Sequence, residues 1–180
     1  MTKLITFAFS ALLLALSGSN TAMAQEEPAD KLQLELSTGG PIVIDLKPGL
    51  APNHVQRITK LARKDFYDGL TFHRVIDGFM AQTGDPSGTG RGGSDLPNLK
   101  AEFSDYSYKR GTVGMARTSN PDSANSQFFI CFGADGCSAL TGKYTVWGQV
   151  TQGMDYVDKL AKGQPPQNPD TIVEMDVVKE

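Results

Sequence analysis

The chain has 180 residues, 39% hydrophobic and 21% charged, which excludes a disordered polypeptide and fits a single packed domain. A net charge of −3 excludes a broad basic surface for nucleic acid. Two cysteines cannot staple a small scaffold, so an apolar core must hold the fold.

Residues 1–24 read as a secretory leader. Lys3 supplies a positive start, Leu4 to Leu16 is almost wholly apolar, Ser17 to Asn20 is small and polar, and Ala22-Met23-Ala24 fits a small-x-small cleavage site. The apolar run falls short of the about 20 residues that span a bilayer, so cleavage after Ala24 is expected rather than anchoring. Such cleavage removes Lys3 and no acid, taking the net charge from −3 to −4. No second hydrophobic run follows, so the mature chain is expected to be free of the membrane. A short positive start points to bacterial export into the periplasm, with full secretion left open.

Residues 25–30 form a polar linker, and the folded domain is expected over 31–180. Leu32, Leu34 and Leu36 alternate with polar residues, as do Ile42, Ile44 and Leu46 beyond Ser37-Thr38-Gly39-Gly40, which predicts a β-hairpin. From Pro52, residues Val55, Ile58, Leu61, Ala62 and Phe66 recur at helical spacing until Asp68-Gly69. Strands are predicted over 71–75, 79–82, 112–116, 127–131, 144–150 and 171–178. A Gly-rich loop covers 84 to about 98. A second helix fits Met154, Val157, Leu160 and Ala161, with Gly163 as its stop. Many short strands with two isolated helices predict a mainly β fold, a barrel or sandwich.

Several motifs carry less than they first offer. Gly88-Thr89-Gly90-Arg91-Gly92-Gly93 matches G-x-G-x-x-G, but Pro97 follows and no helix opens to receive a pyrophosphate. His54 and His73 are the only histidines and have no ligand-spaced partner, so no metal is expected. His54 is expected on the surface of its helix, and His73 within a strand. Trp147 is expected in the core. Cys131 ends an apolar run and reads as a buried thiol. An oxidising compartment permits a Cys131–Cys137 bridge, and nothing in the sequence requires it.

The run Phe72-His73-Arg74-Val75-Ile76, then Gly78-Phe79-Met80-Ala81-Gln82-Thr83-Gly84-Asp85, sets an arginine among large apolar residues and a glutamine. Ser126-Gln127-Phe128-Phe129-Ile130 repeats the theme. These segments resemble the cyclophilin family of peptidyl-prolyl cis–trans isomerases over essentially the whole mature chain. The resemblance implies a closed, eight-stranded antiparallel β-barrel capped by two α-helices. It implies Arg74, Phe79 and Gln82 as catalytic residues. It implies Met80, Ala116, Arg117, Gln127, Phe129, Leu140 and Tyr144 as the substrate-binding set. Expected partners are proline-containing unfolded or extended segments of exported proteins, with no cofactor, no nucleic acid and a monomeric state. The best-known eukaryotic members have Asn at Arg117, Trp at Ala139 and His at Tyr144, and a shorter loop at 133–138. These departures bear on peptide preference and on inhibition by cyclosporin, expected to be weak, and leave the Arg74 chemistry intact. Competing readings are a holdase that captures extended segments without turnover, and a structural partner in an envelope assembly. A retained Arg74 favours the enzyme, because capture alone does not need it.

Overall fold

In the computed structural model residues 30–178 are described; the expected leader and residues 25–29 lie outside them. Strands β1 (Lys31–Leu36) and β2 (Gly40–Leu46) form the predicted hairpin. Leu32, Leu34, Leu36, Ile42, Ile44 and Leu46 are all buried, because alternate residues of a strand share one face. Gly39 makes the turn at φ 105°, a conformation that glycine adopts without steric cost.

Helix α1 (Pro52–Ala62) begins with proline and has no side-chain cap from its own sequence. Glu102 supplies one from a distance. Its carboxylate accepts from the backbone N–H of Asn53 (3.2 Å) and of His54 (3.0 Å), and from Asn53 Nδ2 (2.8 Å). Unpaired N–H groups at a helix start favour such an anion. The same carboxylate pairs with His54 Nδ1 at 2.5 Å. His54 is fully buried, which corrects its expected surface position: Glu102 gives the imidazole a polar partner inside the protein. The helix also ends earlier than Asp68-Gly69. Asp65 turns left-handed at φ 55° and Phe66 N–H donates to Leu61 O (3.1 Å), closing the helix end.

The remaining strands are β3 (Arg74–Ile76), β4 (Met80–Thr83), β5 (Thr112–Met115), β6 (Phe128–Cys131), β7 (Val146–Gln152) and β8 (Ile172–Val178). Short helices α2 (Ala134–Cys137) and α3 (Met154–Asp158) and two 3-10 turns, Pro121–Ser123 and Ser138–Leu140, complete the described elements. α3 stops before Leu160, which is nonetheless buried, and α2 was not foreseen.

All eight strands join one antiparallel sheet, in the order β3-β4-β6-β5-β7-β2-β1-β8. The expected closed barrel is therefore corrected to a curled, open sheet with β3 and β8 at its edges. The reason is local. β3 has only three residues, and its outer edge is taken by Gly163, which exchanges bonds with Val75 (2.8 and 2.9 Å). The sheet curls far enough for the segment before β3 to meet the start of β8, through Phe72 N to Asp170 O (2.8 Å) and Ile172 N to Leu70 O (2.9 Å). That contact is an isolated bridge at Thr71 and Thr171, not a ladder. Inside the curl, Phe128 packs edge-on against Tyr67 and Trp147 at 5.5 and 5.4 Å between ring centres, a favoured geometry.

Candidate active site

Strand parity assembles the site. Across β3, β4, β6 and β5 the register aligns Arg74 with Gln82, Gln82 with Phe129, and Phe129 with Gly114. One row over, Ile76 aligns with Met80 and Met80 with Cys131. Because alternate residues share a face, these side chains lie on the opposite face from the inward Val75, Ala81, Phe128 and Ile130. They form a second apolar cluster of their own, with Met80, Phe129 and Cys131 buried and Phe79, Ala116, Leu140 and Tyr144 half-buried against it.

A pocket of about 120 Å³ opens in this face, lined by Arg74, Phe79, Met80, Gln82, Ala116, Arg117, Phe129, Leu140 and Tyr144. Nine of the ten residues named from the sequence thus share one wall. The tenth, Gln127, lines an adjoining cavity with Gln82, Ala116 and Arg117. Ala139 is exposed beside Leu140 and is not on the pocket wall.

A side-chain relay fixes the arginine. Arg74 Nε donates to Gln164 Oε1 (3.1 Å), and its Nη1 reaches Gln82 Oε1 (3.4 Å) and Met80 Sδ (3.8 Å). Gln82 Nε2 donates to Gln127 Oε1 (2.8 Å), and Gln127 Nε2 to Gly92 O (2.8 Å). A guanidinium so held presents its remaining N–H groups over an apolar floor without further ordering. That floor is Phe129, stacked on Tyr108 at 5.8 Å and met edge-on by Tyr144 at 5.8 Å.

The Gly-rich segment, which lines the adjoining cavity through Gly90 to Ser94, wraps a carboxylate. Asp85 accepts from Ser87 N (2.8 Å), Ser87 Oγ (2.8 Å), Thr89 Oγ1 (3.4 Å) and Gly92 N (3.1 Å). Burial pushes the Asp85 carboxyl up, and the bonds from Ser87, Gly92 and Gly90 outweigh it, holding the group at about 2. His73 is buried behind this loop, and burial lowers its pKa.

Cys131 and Cys137 are joined by a disulfide, with Cα atoms 6.2 Å apart. The reading of Cys131 as a free buried thiol is corrected: α2 folds the chain back so that Cys137 meets the end of β6. The bridge anchors the segment that carries Leu140 into the pocket. Three other residues of the site escaped the sequence reading. Gln164 lies 90 positions from Arg74 in a loop without periodicity. Tyr108 stands in an irregular segment. Gly114 carries no side chain to suggest a role, yet a Cβ there would strike the Tyr108 hydroxyl and the Phe129 ring. The segment Gly114-Met115-Ala116 inside the strand predicted over 112–116 was the available signal.

Comparison with known proteins gives a consistent result. The family model for cyclophilin type peptidyl-prolyl cis-trans isomerase/CLD matches residues 31–177. A probable peptidyl-prolyl cis-trans isomerase of Brucella suis is 46% identical, with 91% of each chain covered. Peptidyl-prolyl cis-trans isomerase B of Bacillus subtilis is 40% identical over 71% of this chain and 88% of its own. Among solved structures, the cyclophilin AquaCyp293 of Hirschia baltica superposes with a TM-score of 0.74 at 30% identity, covering 84% of this chain and 75% of that one. A Cryptosporidium parvum cyclophilin crystallised in the presence of the dipeptide Ala-Pro gives 0.76 at 25% identity, covering 83% and 99%.

Proposed function

The chain belongs to the cyclophilin-type peptidyl-prolyl cis–trans isomerases, and from that premise we infer that it speeds rotation about X–Pro bonds during the folding of exported proteins, with Arg74 as the catalytic group. One observation carries the assignment of the site: Arg74, oriented by Gln164 and Gln82, stands on the wall of an apolar pocket floored by Phe129.

The chemistry follows from the bond. Amide resonance sets a rotation barrier of about 18–20 kcal/mol, and uncatalysed X–Pro exchange takes tens of seconds or more. No covalent step is needed; the site must bind the twisted amide more tightly than either planar form. Phe79, Met80, Phe129 and Leu140 grip the proline ring by apolar contact. As the bond twists, the lone pair localises on the prolyl nitrogen. Arg74 donates a hydrogen bond to it and so removes density from the C–N bond. An arginine suits this task because it stays charged and presents a rigid fork of donors. Gln82 and Gln127 hold the peptide backbone beside the pocket.

Export is supported by the leader pattern of residues 1–24 and by the pairing of both cysteines in a disulfide, a bond that persists in oxidising compartments. The Brucella relative aligns over 91% of this chain, more than residues 30–180 make up.

Isomerisation of a proline peptide by the mature chain, followed by exchange spectroscopy, tests the activity. Arg74→Ala is expected to lower kcat/KM by about two to three orders of magnitude, the scale of one lost preorganised donor, with the circular dichroism spectrum unchanged. Near-normal efficiency in the folded variant would remove Arg74 from the mechanism. Intact mass of the protein from its native host is expected to start at Gln25, and a mass that includes residues 1–24 would contradict export.

A further inference from the structure

Beside the proline pocket lies a larger cavity of about 450 Å³. The two share Gln82, Ala116 and Arg117. An extended peptide advances about 3.5 Å per residue, so a chain seated in the first places a nearby side chain at the second.

The charge on this wall has one sign. Arg91 and Arg117 are its only charged residues, in a chain whose net charge is −3. Of the carboxylates that flank this wall in sequence, Asp85 holds its own loop and Asp122 accepts from Ala101 N (2.9 Å), while Asp95, beside Ser94, is exposed and does not line the cavity. Arg117 is fixed in place by bonds to Thr118 O (2.8 Å) and Lys143 O (2.9 Å), with its guanidinium 4.3 Å over the Tyr144 ring. Those bonds commit two of its five N–H donors, and Nε has no partner. Arg91 is exposed, and its guanidinium pairs with no side chain among the described residues. The rest of the wall is rigid and polar. Asn125 Oδ1 accepts from Ser94 N (2.8 Å) and Ser94 Oγ (2.7 Å), and its Nδ2 donates to Leu96 O (2.9 Å).

We propose that this cavity is a subsite for a carboxylate side chain of the substrate, so that the enzyme favours prolines with Asp or Glu within two residues. Two guanidinium forks without a counter-charge match a carboxylate better than any neutral side chain. The proposal rests on the reading of the neighbouring pocket as the seat of the proline ring.

The test is a set of single-proline peptides with Glu, Gln or Lys at each of the two positions before and after the proline. Both kcat/KM and Kd are measured, the latter by peptide titration. At one position Glu is expected to exceed Gln by about three- to tenfold, the range of one or two partly screened ion pairs, and Lys to fall below Gln. The preference is expected to shrink as salt rises from low to physiological strength. In the double variant Arg91→Gln/Arg117→Gln the Glu-to-Gln ratio is expected to fall to about one; a ratio cancels any general loss from the substitutions. A wild-type ratio near one at every position, or a ratio that survives in the double variant, overturns the proposal. If no peptide at all is isomerised, the reading of the proline pocket fails, while the Glu-to-Gln ratio of Kd still decides the carboxylate subsite.

Discussion

Phe129 joins catalysis to stability at a single position. Its ring is 4% exposed, stacks on Tyr108 and forms the floor of the pocket. Phe129→Ala removes the surface that meets the proline ring and leaves a void in the second apolar cluster. KM is expected to rise and kcat/KM to fall, with about 3–5 kcal/mol lost from the unfolding free energy. Steady-state kinetics and urea denaturation of the same preparation check both effects. Native activity in a destabilised variant would place the proline elsewhere. Much of this site was legible at residue level, because Phe72 to Asp85 and Ser126 to Ile130 are contiguous runs whose order is itself the signal. Gln164 was not legible. It reaches Arg74 across 90 positions, and a lone glutamine in a loop carries no local pattern.

Among the elements, the segment from β6 through α2 to Leu140 depends most on a covalent tie. Cys131 ends β6, Cys137 ends α2, and they are six residues apart in sequence. Closing so short a loop restrains the unfolded chain modestly, on the order of 2 kcal/mol. The double substitution Cys131→Ser/Cys137→Ser is therefore expected to lower stability by about that amount in denaturant titrations. It is also expected to raise KM more than it lowers kcat, because Leu140 and Tyr144 lose their anchor while Arg74 keeps its relay through Gln164 and Gln82. An equal fall in kcat with KM unchanged would contradict this division. α1 shows the same dependence on distant groups. Its apolar stripe was readable from Val55, Ile58 and Leu61, whereas its capping group is Glu102, 48 positions beyond His54.

For the whole molecule, stability is expected to decline with acid in two stages. Burial lowers the pKa of both His54 and His73 below the ordinary 6.5, the Glu102 carboxylate opposing the shift at His54 and Asp85 opposing it at His73. Below pH 6.5 the unfolded chain then binds protons that the folded chain refuses, so stability falls as pH drops through that value. Asp85 shifts from 3.8 to about 2 in the folded state, and Glu102 is also lowered: burial raises it, and bonds from His54 and Asn53 outweigh that. Their contribution is present above about pH 4 and is lost as pH falls towards 2, with Asp85 accounting for about 2 kcal/mol. Denaturant midpoints from pH 8 down to about pH 2 check the course. A stability that rises between pH 7 and pH 5 would show that the histidines are not held neutral by the fold.

By itself the sequence determined the mainly β architecture, the hairpin of β1 and β2, the apolar face of α1, and ten side chains that the structure gathers around two adjoining cavities. The first three are properties of short range, period two and period 3.6, each decided by backbone geometry within a few residues; the ten side chains come from the family resemblance that the runs Phe72 to Asp85 and Ser126 to Ile130 carry. Tertiary structure alone decided the open edge of the sheet, because Gly163 takes the side of β3 that closure would need. It alone buried His54 against Glu102, joined Cys131 to Cys137, and set Gln164 behind Arg74. Apart from the disulfide, whose cysteines are six residues apart, each of these pairs a group with a partner far away in the chain. Such pairings exist only once the strands have set their register, so the physics that selects them acts across the fold rather than along the sequence.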